Sequence, residues 1–402
     1  MLSEQNTALL KKLRHGLKDY TVLIALALIW FLFWILTDGI FLKPRNISNL
    51  FRQASIISFL ATGMVLVIVL GNIDLSVGSV VGFLSAVTAF LQVRVFYDLM
   101  PKLFPQMEAA GYGVMSTVFT IIVVLILAAL IGVWQGSLIA YLRIPAFIVT
   151  LGGMQIFRGG VLGVTQGKTI TPIENSLVQI AQGYVSKGLG WIIALVVVAI
   201  IFLMTIVGRN QKKTYGFDVP VMWKDLLKAT TISAIVVAYV VIMNDYRGIQ
   251  IPVLILAGVA LLISYVSTNT RFGRYAYAVG GNLEATRLSG INIKKTIFLV
   301  HVLMGILAGV AGIILTGYVA AGTVNAGKDY ELETIASCVI GGTSLMGGKG
   351  TIIGAMVGSL IMASIVNGMS VMNMDIFWQY IVKGMVLILA VYIDVVSNKQ
   401  KS

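Results

Sequence analysis

Apolar residues in this chain gather in long runs instead of recurring at every second or every third position. Runs at 22–36, 121–131, 191–207 and 253–265 are divided by short polar stretches rich in glycine, and the pattern repeats along the whole length. Each run approaches the roughly 20 residues that cross a bilayer as a helix. The pattern predicts an all-α polytopic membrane protein of about twelve transmembrane helices, between ten and fourteen because broken and re-entrant helices blur the count. Its expected organisation is an amino-terminal segment at 1–19, a transmembrane domain at 20–396 interrupted by a polar segment at 271–295, and a tail at 397–402.

Composition agrees with a chain solvated mainly by lipid. Of 402 residues, 58% are hydrophobic and 11% charged, against roughly a quarter charged in an ordinary soluble domain. The first apolar run is too long for the core of a secretion signal and lacks a small-residue cleavage site after it, so the amino terminus is expected to stay on the mature protein. A net charge of +13 raises the question of nucleic acid, yet the basic residues sit in short segments between apolar runs, a distribution that serves membrane orientation and not a nucleic-acid partner.

Those segments are Lys11, Lys12, Arg14 and Lys18; Arg209, Lys212, Lys213, Lys224 and Lys228; Arg271, Arg274, Arg287, Lys294 and Lys295; and Lys399 with Lys401. Twelve spans put all of them on one side, and the positive-inside rule makes it cytoplasmic, with both termini there. One opposing loop, with Lys43, Arg45 and Arg52, runs against the trend. Trp30, Trp34, Trp191 and Trp378 lie near span ends and are expected to anchor them in the headgroup layer. The connection 317–334 holds Asp329, Glu331 and Glu333 against Lys328; it is able to meet a basic partner, but a solvated acidic loop is the expected reading. Cys338, the single cysteine, sits among Ala336, Val339 and Ile340 as a packed thiol.

Catalytic signatures are missing from the sequence. Around Gly347-Gly348-Lys349-Gly350-Thr351 the phosphate-loop spacing fails, because Thr343 stands at the first glycine position and Gly350 follows the lysine. His15 and His301 are too few for a histidine metal cluster, and His301, inside a span, suits helix packing better than proton relay. Metals and cofactors bound by this chain are therefore not expected, and any energy source must lie elsewhere.

Three polar breaks carry the candidate chemistry. In Gly71-Asn72-Ile73-Asp74-Leu75-Ser76-Val77-Gly78 a carboxylate lies between two apolar helices. A charge in hydrocarbon is costly, so Asp74 must face water, a partner or a helix end. Asn72, Asp74 and Ser76 either line a path for a polyhydroxylated solute, or Asp74 caps the following helix. The break at 341–350 poses the same choice, with Thr343 and Ser344 as polar candidates for the path or gate. There the structural role is favoured, because Gly350, Gly354 and Gly358, like Gly305 and Gly309, recur every four residues and let helices approach closely. The motif Gly78-Ser79-Val80-Val81-Gly82 is echoed in Gly350-Thr351-Ile352-Ile353-Gly354, a weak sign of internal repetition. In the third break, at 271–291, Asn282 is a good N-cap, Glu284 falls in the first turn and Gly290 is placed to end a helix of about two turns. So short a helix is unstable unaided, and it lies among basic residues where a partner can dock.

Together these breaks resemble the ribose and xylose type permeases of bacterial ATP-binding cassette importers. The likeness rests on Gly71-x-Ile73-Asp74-Leu75-Ser76-Val77-Gly78, on Gly280-Gly281-Asn282-x-x-Ala285-x-x-x-x-Gly290-Ile291, and on Gly341-Gly342-Thr343-Ser344-Leu345-x-Gly347-Gly348-x-Gly350-Thr351. It implies a type II importer-like permease fold in a bacterial cytoplasmic membrane and a second copy of the permease. It also implies ATPase subunits that hold the Mg-ATP, and an extracytoplasmic sugar-binding protein. Asn282, Glu284, Ala285, Arg287 and Gly290 would then form the coupling segment that meets the ATPase. The stretch 191–268 is longer than in ribose-type members, as though a helix pair were added around the basic connection, which favours the xylose-type branch. The competing class is an ion-coupled secondary sugar transporter with Asp74 as its coupling site.

Overall fold

A computed structural model describes residues 21–106, 108–219 and 221–399. The segment 1–19, with its basic cluster and His15, and Lys401 of the tail lie outside the described residues. In chain order the helices are α1 (Thr21–Leu36), α2 (Pro44–Val69), α3 (Val77–Phe90), α4 (Tyr97–Leu103), α5 (Ala109–Ala140), α6 (Ala146–Thr165), α7 (Asn175–Gln182), α8 (Lys187–Thr214), α9 (Met222–Tyr246), α10 (Ile251–Asn269), α11 (Arg271–Gly281), α12 (Leu283–Leu288), α13 (Ile293–Val319), α14 (Tyr330–Ile340), α15 (Ile352–Val371) and α16 (Ile376–Lys399). A π-helical stretch, Leu91–Phe96, runs α3 into α4 as one rod. Two isolated bridges stand where a sheet would otherwise be, among the described residues.

By length and apolarity, ten helices among the described residues can cross a membrane. The fold is therefore all-α and polytopic. The expected twelve is reached only by adding α1, whose described part is 16 residues, and a broken unit ending in α14, which has 11. At 1.5 Å per residue α14 spans about 16 Å, roughly half the hydrocarbon thickness. The chain covers the other half without a helix. Gly322 lies against Ala89, Ala326 against Gly82 and Gly327 against Gly78, so 322–327 runs back along α3 before α14 begins.

The bundle is arranged around α2, whose later part, residues 54–69, holds no charged residue and whose most apolar stretch is 94% buried. A helix hydrophobic all round belongs inside the bundle. α15, α13, α10 and α14 pack directly on it. Close approach is achieved with glycine. Gly305 and Gly309 of α13 meet Ala128 of α5, and Gly132 and Gly136 of α5 meet His301 and Phe298 of α13. Gly354 and Gly358 of α15 press against the backbone of Gly341 and Ser337 at the end of α14, as the four-residue spacing predicts. The two echoing motifs thus flank one element: Gly78 and Gly82 border the start of the α14 unit, and Gly354 its end.

α8 and α9 form a hairpin around the basic connection. They pack mainly on each other, with α9 leaning on α2, and Arg209 of α8 holds Asp225 of α9 at 2.6 Å. Only 11% of the most apolar stretch of α8 is buried, so the hairpin sits at the periphery.

Three expectations change. Arg52 is not in a loop: it lies within α2, 8% exposed, donating to the Tyr184 hydroxyl with its guanidinium over that ring. Connection 317–334 is not a solvated acidic loop, because Glu333 pairs with Lys383 of α16 at 2.9 Å and Glu331 lies against Gly78. Trp30 is no headgroup anchor; its indole N–H donates to Ser364 Oγ of α15 at 2.9 Å. Trp34, Trp191 and Trp378 are exposed, as anchors must be.

Replacing Gly305 by Leu should force α13 off the α5 backbone, where its Cβ would lie 2.9 Å from Gly132 Cα. A loss of about 1–3 kcal/mol is expected from overpacking. Thermal unfolding of the detergent-purified protein checks this, with Gly208→Ala, which meets open space, unchanged.

Candidate functional site

The early break begins where α2 stops. Gly71 N–H donates to Ile68 O at 2.8 Å and Asn72 N–H to Val67 O at 3.1 Å, with Gly71 at φ +83°. This is the paired bond pattern that ends a helix on a left-handed residue. Five residues later α3 starts, with Ser76 at its N-cap position. Asp74 does not bond the first-turn amides of α3. Its Oδ1 accepts from Ser76 N–H at 2.8 Å and Ser76 Oγ–H at 2.6 Å, locking the turn that precedes the helix.

Ser76 Oγ in turn accepts from Gln135 Nε2 of α5 at 2.7 Å, and Thr150 of α6 donates to Ile73 O at 3.3 Å. Three helices therefore converge on the break. Asp74 is 2% exposed and Ser76 fully buried, so both face the protein interior in this conformation. Nδ1 of His301 donates to Ile297 O at 2.9 Å, which leaves Nε2 buried without a partner among the described residues. The ring lies within electrostatic reach of Asp74. Asn72 Nδ2 is likewise buried and without a partner.

The late break repeats the ending of α2. Gly342 N–H donates to Val339 O at 2.9 Å and Thr343 N–H to Cys338 O at 2.9 Å, with Gly342 at φ +88°. Thr343 is fully buried, with its methyl 2.8 Å from where a Cβ on Gly350 would be. Ser344 N–H donates to Lys349 O at 2.9 Å, closing the loop on itself. α16 tethers the same loop, since Leu345 N–H donates to Asp394 Oδ2 at 3.1 Å.

At the foot of α2 this loop meets the third break. Gly348 N–H donates to Val69 O at 2.9 Å, and a Cβ on Gly280 would collide with that same carbonyl oxygen. Gly348 also packs on Gly281, where its own Cβ would come 2.8 Å from the Cα. Tyr277 of α11 donates its hydroxyl to Gly350 O at 2.8 Å. Burial pushes the Tyr277 phenol above its ordinary value, so it remains a donor.

From this junction the coupling candidates project. Asn282 Oδ1 accepts from Ala285 N–H at 2.9 Å, capping α12, and Glu284 lies in its first turn. Gly290, at φ +75°, ends the helix with bonds from Gly290 N–H to Arg287 O and Ile291 N–H to Thr286 O. Asn282, Glu284, Ala285, Arg287 and Gly290 are all exposed, and Leu288 is 86% exposed. Thr286 alone turns inward, donating to Ala278 O and Asn282 O.

The structure thus joins Asp74 and Ser76 into one network and places Thr343 and Ser344 in another. Val69, Gln135 and Tyr277 escaped notice in the sequence, because an apolar residue, a glutamine in a long apolar run and an ordinary tyrosine carry no local signal. Among the described residues no group of His, Cys, Asp or Glu is placed to hold a metal.

Asp74→Ala should remove the acceptor of both bonds that Ser76 donates and cost about 1.5–3 kcal/mol, the usual range for hydrogen bonds to a charged group. Comparing it with Gln135→Ala and the double variant in thermal unfolding tests the network, which predicts costs that do not add.

Comparison with known proteins gives the arrangement its family. Residues 46–391 match the family described as the permease component of branched-chain amino acid transport systems. The chain is 43% identical over 386 residues to the xylose transport system permease protein XylH of Haemophilus influenzae, covering 96% of this chain and 98% of the relative. It is 41% identical over 390 residues to XylH of Escherichia coli, covering 96% and 93%. To the ribose import permease protein RbsC of Escherichia coli it is 33% identical over 354 residues, covering 88% and 87%. No solved structure matches it. A helical bundle built to cross a membrane, interrupted by three glycine-ended breaks and alike over nearly its whole length to sugar permeases, belongs to the family of permease components, and is a transport subunit and not an enzyme.

Proposed function

We propose that this chain is the membrane-spanning permease of an ATP-driven importer for xylose or a related monosaccharide delivered by an extracytoplasmic binding protein. The relatives named for xylose support the cargo. So does the peripheral α8–α9 pair, the addition expected of that branch. The partners are ATPase subunits that carry Mg-ATP, a second permease copy and the binding protein. The chain lies in the bacterial cytoplasmic membrane with both termini in the cytoplasm. Its basic connections, at the 209–228 turn and at 271–295, mark that side.

One observation supports this reading above the rest: the junction at Val69. α12 is exposed, capped and too short to stand alone, yet α11 ties it to Val69 and Gly348, and so to both other breaks. A push on Asn282, Glu284, Ala285, Arg287 or Gly290 reaches the ends of α2 and α14 through rigid glycine contacts. In this reading Asp74, Asn72 and Ser76 act at a hinge and do not touch solute. Thr343 and Ser344 hold the loop through which α14 and α15 move. The rival, ion-coupled reading needs an accessible carboxylate, and Asp74 is turned inward onto Ser76.

In proteoliposomes with ATPase and binding protein, Glu284→Lys or Gly290→Val should lower ATP-driven sugar uptake by about tenfold or more, a usual size for a coupling free energy. Parental uptake in both variants counts against the coupling assignment. The permease alone, under an imposed ion gradient, should accumulate no sugar, and uphill accumulation would favour the ion-coupled class.

A further inference from the structure

The middle of α6 holds a residue that lipid does not explain. Gln155 is the tenth residue of the twenty in Ala146–Thr165, and it is exposed. It stands about 15 Å from either end of the helix, too deep for its amide to reach a headgroup. On the same face, Cβ atoms at Gly152 and Gly159 would meet open space, leaving room on both sides of the amide. A polar group at this depth belongs beside water or protein, not hydrocarbon.

Two charged residues share its level. Arg158, one turn on, is half-buried and donates Nη1 to Val324 O at 3.5 Å and Ala326 O at 3.3 Å, gripping the non-helical half of the α14 unit. Glu331, in the first turn of α14, has its Oε2 buried without a partner among the described residues. Its depth follows from packing. Gly153 lies against Ser76 and Gly160 against Phe83, so α3 and α6 run in step, and Glu331 beside Gly78 falls level with Gln155. Arg158 lies within electrostatic reach of Glu331 without closing an ion pair.

We infer that Gln155, Arg158 and Glu331 form the polar lining of the translocation path near the bilayer midplane, and that they contact the hydroxyl groups of the sugar in transit. This rests on the importer reading above. The chemistry suits a polyhydroxylated, uncharged solute. The amide donates and accepts, the guanidinium donates and the carboxylate accepts, so each hydroxyl finds a complement, while the opposite charges leave no strong net field to trap it.

The test uses the full complex of permease, ATPase and binding protein in vesicles, with a water-soluble thiol reagent and radiolabelled xylose. Fully buried Cys338 gives the parental chain a blank background. Leu195→Cys, 71% exposed on the lipid-facing α8, is the membrane-facing reference. Because only the hydrated thiolate reacts, Gln155→Cys should label about tenfold faster than Leu195→Cys or more. Uptake by Gln155→Leu and by the isosteric Glu331→Gln should fall by about tenfold, as expected when a hydroxyl loses its partner in transit. Labelling no faster than Leu195→Cys, or parental uptake by both substituted proteins, overturns the assignment. Failure of the parental complex to transport would sink the importer reading instead, and the labelling ratio would still decide whether this face is wet.

Discussion

A single carbonyl oxygen, that of Val69, gathers the three polar breaks of this permease at one point. It ends α2, receives the amide of Gly348 and faces Gly280 so closely that a side chain there cannot fit. Glycine–glycine packing of this sort is stiff, since no side chain can change rotamer to absorb a displacement, and stiffness suits a joint that passes motion on. The three breaks also share a way of ending a helix, with Gly71, Gly290 and Gly342 each left-handed beneath the same pair of bonds. One local device, used three times, places three chain reversals where they can be tied together.

Above that joint the polar groups fall into two sets. Asp74, Ser76 and Gln135 spend their hydrogen bonds on one another across α3 and α5. Gln155, Arg158 and Glu331 leave theirs unspent or shared with backbone. Burying a carboxylate is tolerable where donors surround it; leaving an amide open at the midplane is tolerable only where something polar arrives. Such a division is what the proposed hinge and the proposed lining require.

Much of the fold was legible because membrane helices announce themselves by length and because caps are local. Asn282, Glu284 and Gly290 lie within nine residues, and their roles in α12 follow from short-range chemistry. Cross-bundle pairings were hidden. Nothing near Trp30 in the chain points to Ser364, and nothing near Glu333 points to Lys383. The acids of α14 look like a solvated loop to any local measure, because their neighbours in space come from α3, α6 and α16. Gln155 was invisible for the opposite reason, since one amide barely lowers the hydropathy of its run.

α14 also bears on how the chain enters the bilayer at all. Eleven residues with two acids near the leading end do not partition into lipid by themselves, and the stretch before them exposes backbone groups that hydrocarbon cannot satisfy. Its seat is lined by α2 and α3, made earlier, and by α15 and α16, made afterwards. Biogenesis therefore cannot proceed one helix at a time in order of synthesis: the ribosome must deliver α15 before its predecessor settles.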